Sequence, residues 1–169
     1  MDNLIVFIIA LIILIIFSLV DVISHRKFKK TSNLVFHIFG ISAVLISLGF
    51  LVFSEFKFTF LAYFGILIII FGIILILLTY IQIKKHFLRA RGIVKNGLYK
   101  YSRHPMYLGI IIFFIGLIFL VPSFYIFIYS LVAIIFMIWQ AYEEEKFLEK
   151  KFLKYKNYKK ETGMIIPKI

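Results

Sequence analysis

Residues 106–142 read MYLGIIIFFIGLIFLVPSFYIFIYSLVAIIFMIWQAY, and the way this stretch divides decides the fold. As one helix these 37 residues would be about 55 Å long, well beyond a single bilayer crossing. Pro122-Ser123 supplies the break. Proline suits the first turn of a helix and disrupts its interior. The stretch therefore reads as a tight hairpin of two membrane helices, Met106–Val121 and Phe124–Tyr142.

Outward from the hairpin, Leu4–Val20, Leu34–Phe53 and Phe60–Ile83 also meet the length for a crossing, about 17–25 mostly apolar residues. Composition agrees. The chain has 169 residues, 63% hydrophobic and 19% aromatic, whereas soluble domains are roughly half apolar. Only 17% of residues are charged, which excludes a disordered chain and, despite the net charge of +12, a nucleic-acid-binding one. With no cysteine there is no disulfide, thiolate metal site or cysteine nucleophile. The expected fold is all-α: a polytopic membrane protein with five transmembrane helices. Residues 1–83 form a scaffold of three helices and residues 84–169 a C-terminal catalytic region, within one membrane domain.

Charge sets the expected topology. Arg26, Lys27, Lys29 and Lys30 separate the first two spans, seven basic residues from Lys84 to Arg103 follow the third, and eight lysines lie between Lys146 and Lys168. Of the 20 basic residues only Lys57 falls on the opposite side. Positive loops stay cytoplasmic, so the N-terminus is expected outside and the tail inside. The apolar start lacks a basic leader and an A-x-A-like site, and is expected to be retained. No Asp, Glu, Lys or Arg lies in the middle of a span, where a charge costs about 2.5–3.5 kcal/mol and usually serves transport. That argues against a proton-coupled exporter. His37 is the one titratable group inside a span, and is read as a local hydrogen-bonding group. Gly40, Ala43 and Ser47, Gly65 and Gly72, and Gly109 and Gly116 read as small-residue faces for helix packing.

Two stretches carry candidate chemistry. The first is the 22-residue connection from Lys84 to Pro105, long enough to be functional or structured. The third helix is expected to stop near Gly92, with Arg89 and Arg91 in its last turn, and Asn96-Gly97 to form a turn. Pro105 suits the first turn of the fourth helix, which sets Arg103 and His104 beside the unpaired N–H groups of a helix start. Such a place receives a carboxylate or phosphate. Interfacial anchoring by Arg103, His104, Tyr99, Tyr101 and Tyr107 is the plainer alternative.

The second stretch is Glu143-Glu144-Glu145. Carboxylates at a helix C-terminus meet the wrong end of its dipole, so the helix is expected to run on. Leu148, Phe152 and Tyr155 recur at helical spacing with Lys between, which predicts an amphipathic continuation along the membrane surface. Pairing of the glutamates with Lys146 and Lys150 on a solvated face is the alternative. The hairpin joins the two stretches: its inner ends must be neighbours, so Arg103-His104 and Glu143–Glu145 share one region. An anion site beside carboxylates suits a ligand with a carboxylate or phosphate and a ribose diol. No P-loop, GxGxxG or GxSxG run is present.

At these residues the chain resembles the isoprenylcysteine carboxyl methyltransferase family and the related phospholipid methyltransferase-like membrane proteins. The G-x-Y-x-x-x-R-H-P-x-Y-x-G hallmark is met by Gly97, Tyr99, Arg103, His104, Pro105, Tyr107 and Gly109. The E-E-x-x-L-x-x-x-F and Y-x-x-Y runs are met by Glu144, Glu145, Leu148, Phe152, Tyr155 and Tyr158, and Thr162 to Pro167 resembles the closing segment. Met164 stands where many members carry Arg, and Phe152 to Tyr155 is one residue shorter than in the F-G-x-x-Y version.

The resemblance implies methyl transfer from S-adenosylmethionine, leaving S-adenosylhomocysteine, to a lipophilic or prenylated acceptor that arrives from the bilayer. It implies a cofactor site of Tyr99, Arg103, His104, Pro105, Tyr107, Glu144 and Glu145, closed partly by the C-terminal helix. Arg103 or Arg91 would align an acceptor carboxylate. No metal and no nucleic acid is expected. Lys- and Ile-rich usage suggests a prokaryotic plasma membrane. A membrane reductase using NADPH, which shares the R-H-P-x-Y run, and a non-enzymatic partner-binding protein are the competing readings.

Overall fold

The computed structural model describes residues 59–89 and 93–168. The first two expected spans, the outward N-terminus, His37 and Arg91 lie outside the described residues. Within them the chain is helical: α1 (Phe60–Arg89), a 3-10 turn (Gly97–Lys100), α2 (Pro105–Leu120), α3 (Phe124–Lys151) and α4 (Tyr155–Glu161). The one extended pairing among the described residues is an isolated parallel bridge between Ser102 and Gly163.

The hairpin forms as its sequence dictates. Pro105 occupies the first turn of α2, where its missing N–H is no loss. At the other end Val121, with φ −126° and ψ 92°, is extended, because the ring of Pro122 disfavours helical geometry in the residue before it. Ser123 is also extended, and α3 starts directly after it. By length and composition α1, over Phe60–Ile83, and α3 can each cross a membrane; α2, at 16 residues, is shorter and apolar.

α1 packs along α2, and α2 along α3. The first contact is made by glycines. A Cβ placed on Gly65 would lie 2.7 Å from the Gly116 carbonyl oxygen, and one on Gly72 2.7 Å from that of Gly109. The two backbones thus touch directly, which suits helices whose association rests on dispersion rather than on expelling water. The second contact buries Phe114, Leu117, Ile126, Tyr129, Ala133 and Met137, with Phe114 edge-on to Tyr129. α1 leaves Phe64, Leu67, Ile70, Phe71, Ile74 and Leu77 exposed.

α3 does not stop at its glutamates. It runs on to Lys151, with Lys150 and Lys151 in the last turn, where cations complement the dipole. The expected single amphipathic continuation is corrected, however. The helix ends at Phe152, whose N–H bonds to the Leu148 carbonyl, and α4 starts afresh at Tyr155. After the break Tyr155 and Tyr158 are both buried, and Tyr158 reaches back to the 3-10 turn that precedes α2, at Tyr99. One straight helix would carry them away along the axis of α3.

Candidate functional site

The segment before α2 is held from three sides. From α1, the Gln82 amide donates to the Asn96 carbonyl and accepts the Leu98 N–H at 3.2 Å. Gly97 sits between them at φ +61°, and a side chain there would run into Gln82. From α4, the Tyr158 hydroxyl donates to the Tyr99 carbonyl at 2.5 Å. From the closing segment, the Gly163 and Met164 carbonyls accept the N–H groups of Arg103 (2.9 Å) and His104 (3.0 Å). In return the Tyr101 carbonyl accepts from the N–H groups of Gly163 and Lys168. The Ser102 hydroxyl lies within hydrogen-bond reach of the Met164 and Ile165 carbonyls. Gly163 cannot be replaced without moving backbone, since a Cβ would sit 1.8 Å from the Ile166 carbonyl oxygen.

The structure brings the basic helix start and the acidic run together. Arg103 Nε donates to Glu145 Oε1 at 2.5 Å, and Nη1 donates to the carbonyls of Lys159 (2.9 Å) and Thr162. Lys159 Nζ lies 3.2 Å from the other Glu145 oxygen. His104, the residue capping α2, sits with Nδ1 3.6 Å from Glu144 Oε2 and Nε2 3.7 Å from Glu145 Oε1. Tyr107 donates to Glu144 Oε2 at 3.1 Å and packs against the His104 ring. Glu145 is 2% exposed, whereas the Glu144 side chain is 42% exposed. Glu143 points elsewhere, paired with Lys146 at the surface.

Electrostatics follow from this packing. Glu145 lies past the apolar stretch that ends at Tyr142. Burial alone pushes its carboxyl up, but the His104 ring, the Arg103 guanidinium and the Lys159 ammonium outweigh it and hold the group at about 2. Burial raises Tyr99, with the Glu144 charge adding to it, and raises Tyr155, with the Glu145 charge adding to it. Tyr158 is raised to about 12, again chiefly by burial. Two buried polar atoms of the cluster, His104 Nε2 and Tyr155 Oη, have no hydrogen-bond partner among the described residues, and Nε2 faces Glu145 Oε1 at the longer distance of 3.7 Å.

Of the expected site residues, Arg103, His104, Tyr107, Glu144 and Glu145 form this one cluster, and Pro105 starts the helix beneath it. Tyr99 lies in the clamped turn, within the field of Glu144. Gln82, Ser102 and Thr162 escaped sequence reasoning. Gln82 left a trace there, as the one amide near the end of an otherwise apolar span. Among the described residues no group of His, Asp and Glu is arranged to hold a metal ion.

The family model described as phospholipid methyltransferase matches residues 60–155, which contain all five clustered residues. The chain is also similar to the protein-S-isoprenylcysteine O-methyltransferase of Saccharomyces cerevisiae, at 38% identity over 83 residues, or 44% of this chain and 32% of the yeast protein. It thus spans about a third of that relative's length. No solved structure matches the chain. Because the matched segment exceeds half of the 169 residues, the chain belongs to the phospholipid methyltransferase family.

Proposed function

We propose that this protein is an integral membrane methyltransferase that takes its methyl group from S-adenosylmethionine and gives it to a lipophilic acceptor, an isoprenylcysteine-like carboxylate or another amphiphile. The observation that carries the reading is the His104–Tyr107–Glu144 face: an accessible carboxylate, a phenol and a buried imidazole gathered at the start of α2.

The residues present fit such a donor. Glu144, Tyr99 and Tyr107 offer oxygens for an amino group and ribose hydroxyls. His104 and the helix start suit its carboxylate. When bound, the donor supplies a methyl group already activated as a sulfonium. What the chain adds is therefore alignment and exclusion of water more than proton transfer. The closing segment, with Met164 and Ile165 packed on the core, shields the site from one side. The α1–α2–α3 surface leaves an apolar approach from another.

In this reading the chain crosses the membrane five times with its N-terminus outside. The site then lies at the cytoplasmic face of the membrane, the plasma membrane if the source is prokaryotic. Arg91 keeps the role of a candidate for aligning an acceptor carboxylate.

Calorimetric titration of the purified protein with S-adenosylhomocysteine and with NADPH tests the proposal. Saturable binding of the former is expected. A response to NADPH alone would replace the reading with a reductase, and silence to both with a partner-binding protein. Isotope-labelled methyl donor incubated with lipid extracts would then identify the acceptor by mass spectrometry.

A further inference from the structure

We infer that Arg103 and Glu145 are positioning residues that touch neither donor nor acceptor. Together they form a buried lock that holds the closing segment, residues 162–168, on the start of α2 and so fixes the His104–Tyr107–Glu144 face. The consequence for the donor rests on the proposed function; the lock itself does not.

Arg103 is 7% exposed, and its guanidinium joins three pieces of chain: α3 through Glu145, the last turn of α4 through the Lys159 carbonyl, and the closing segment through the Thr162 carbonyl. Glu145 is held on both sides: one oxygen faces Arg103 and, at 3.7 Å, His104 Nε2, and the other faces Lys159. An external carboxylate taking the Nε edge of Arg103 would displace Glu145 and leave that buried anion without its guanidinium, which is unfavourable. The planar fork of the guanidinium meets one carboxylate and two carbonyls at once, which a lysine ammonium reproduces poorly.

Glu144 does the opposite: it keeps nearly half of its side chain accessible, on the far side of the buried His104 ring from Glu145. Successive residues on a helix point about 100° apart. Glu144 and Glu145 are therefore turned apart: Glu145 is buried in the lock and Glu144 stays half-exposed, with the buried His104 ring between them, Nε2 toward Glu145 and Nδ1 toward Glu144. Release of the lock would free the carbonyls of Thr162, Gly163 and Met164 together, because the backbone pairing of Ser102–His104 runs alongside it.

The test uses the full chain in lipid nanodiscs. Amide hydrogen exchange is followed over residues 99–105 and 160–169, and S-adenosylhomocysteine binding is measured by calorimetry. Arg103→Ala is expected to speed exchange at Arg103, His104, Gly163 and Lys168 by at least about tenfold and to weaken binding by a similar factor, since both follow from local opening. Arg103→Lys should recover only part of each. Arg103→Ala/Glu145→Ala should match Arg103→Ala within about threefold, because partners in one contact are not additive. Saturating S-adenosylhomocysteine should restore protection to Arg103→Ala. Glu144→Gln should weaken binding and leave exchange of the ligand-free protein at the wild-type rate.

Lost binding in Arg103→Ala with unchanged exchange would make Arg103 a direct ligand and overturn the inference, as would multiplicative effects in the double variant. Should Arg103→Ala fail to insert, Arg103→Lys and Glu145→Gln carry the same comparison. If the wild-type protein binds no S-adenosylhomocysteine, the methyltransferase reading falls while exchange alone still decides the lock.

Discussion

One methyl group added at Gly72 tests how the helix contact sustains the site. A Cβ there would lie 2.7 Å from the Gly109 carbonyl oxygen and 2.8 Å from the Phe113 nitrogen, both backbone atoms that cannot rotate away. Ordinary contacts begin near about 3.5 Å, so α1 must withdraw locally by roughly 0.7 Å, and a gap of about that size forfeits a quarter to a half of each neighbouring dispersion contact. Overpacking of this kind costs about 1–3 kcal/mol.

Gly65→Ala meets the same obstacle at the other end of the contact, 2.5 Å from the Leu120 nitrogen and 2.7 Å from the Gly116 carbonyl oxygen. Both variants should therefore melt several degrees lower in detergent. They should differ in ligand binding. Gly109 lies one turn into α2, and the α1 segment beyond Gly72 leads to Gln82 and its clamp on residues 96–98. Gly72→Ala is expected to weaken S-adenosylhomocysteine about tenfold, or about 1.4 kcal/mol, and Gly65→Ala to leave affinity near wild type. Gly72→Ala with Gly109→Ala should cost less than the sum of the two, because one withdrawal makes room for both. Unchanged melting in both variants, or equal losses of affinity, would refute the reasoning.

Three further outcomes are expected. Tyr107→Phe removes the 3.1 Å hydrogen bond to Glu144; bonds to charged groups contribute about 1.5–3 kcal/mol, and access of water to Glu144 puts this one at the low end. Calorimetry should show roughly a tenfold weaker complex, and an unchanged affinity would detach Tyr107 from the site. Gln82→Leu keeps the bulk and loses both amide contacts, so exchange at the Leu98 N–H should accelerate; an unaltered rate would mean the clamp is not in force. Alkaline pH should loosen the tail. Tyr99, Tyr155 and Tyr158 are all raised in the folded chain above the ordinary value of 10.0, Tyr158 to about 12. A raised folded value means full stability below about pH 10 and loss as the pH climbs through the folded values. Tyrosinate absorbance should therefore appear late and together with unfolding, and an ordinary titration in the intact protein would contradict the burial.

Legibility in the sequence followed the reach of each interaction. Pro105 and Pro122 act on their immediate neighbours, so the start of α2 and the hairpin were readable directly. That the Arg103-His104 and Glu143–Glu145 stretches share one region also followed, once a two-residue turn joined the helices; which carboxylate meets Arg103 did not. The end of α3 was not readable. Leu148, Phe152 and Tyr155 fit a helical period perfectly well, and only the burial of Tyr155 and Tyr158 against distant residues decides for a break. Nor does sequence separate a charge that meets a ligand from one that meets its own chain. Arg103 appeared as a cation at a helix start, and the Thr162 and Lys159 carbonyls that occupy it lie more than 50 residues on. Gln82 was missed for the same reason: its partners are backbone groups of a loop, which carry no residue signature.

The register of the hairpin explains why Ser102, Arg103 and His104, just before Pro105, are not part of the helix. From Phe124 to Glu145 α3 climbs about 33 Å, while the 16 residues of α2 descend only about 24 Å from the same turn. Antiparallel helices of that mismatch would leave Glu145 about two helical turns past the end of α2, facing nothing. The shortfall is close to what three extended residues supply, at about 3.3 Å each. Ser102, Arg103 and His104 lie in that gap outside the helix: Ser102 is bridged to Gly163, the N–H groups of Arg103 and His104 bond to the Gly163 and Met164 carbonyls, and His104 has φ −127° and ψ 59°. Had the helix continued backward through them, each would have risen only about 1.5 Å and Arg103 would have stopped short of the carboxylate it meets at 2.5 Å. The closing segment therefore does two things with one set of bonds. It gives Ser102, Arg103 and His104 the partners that a helix would otherwise have provided, and by keeping them out of the helix it lets the basic pair reach the acidic one.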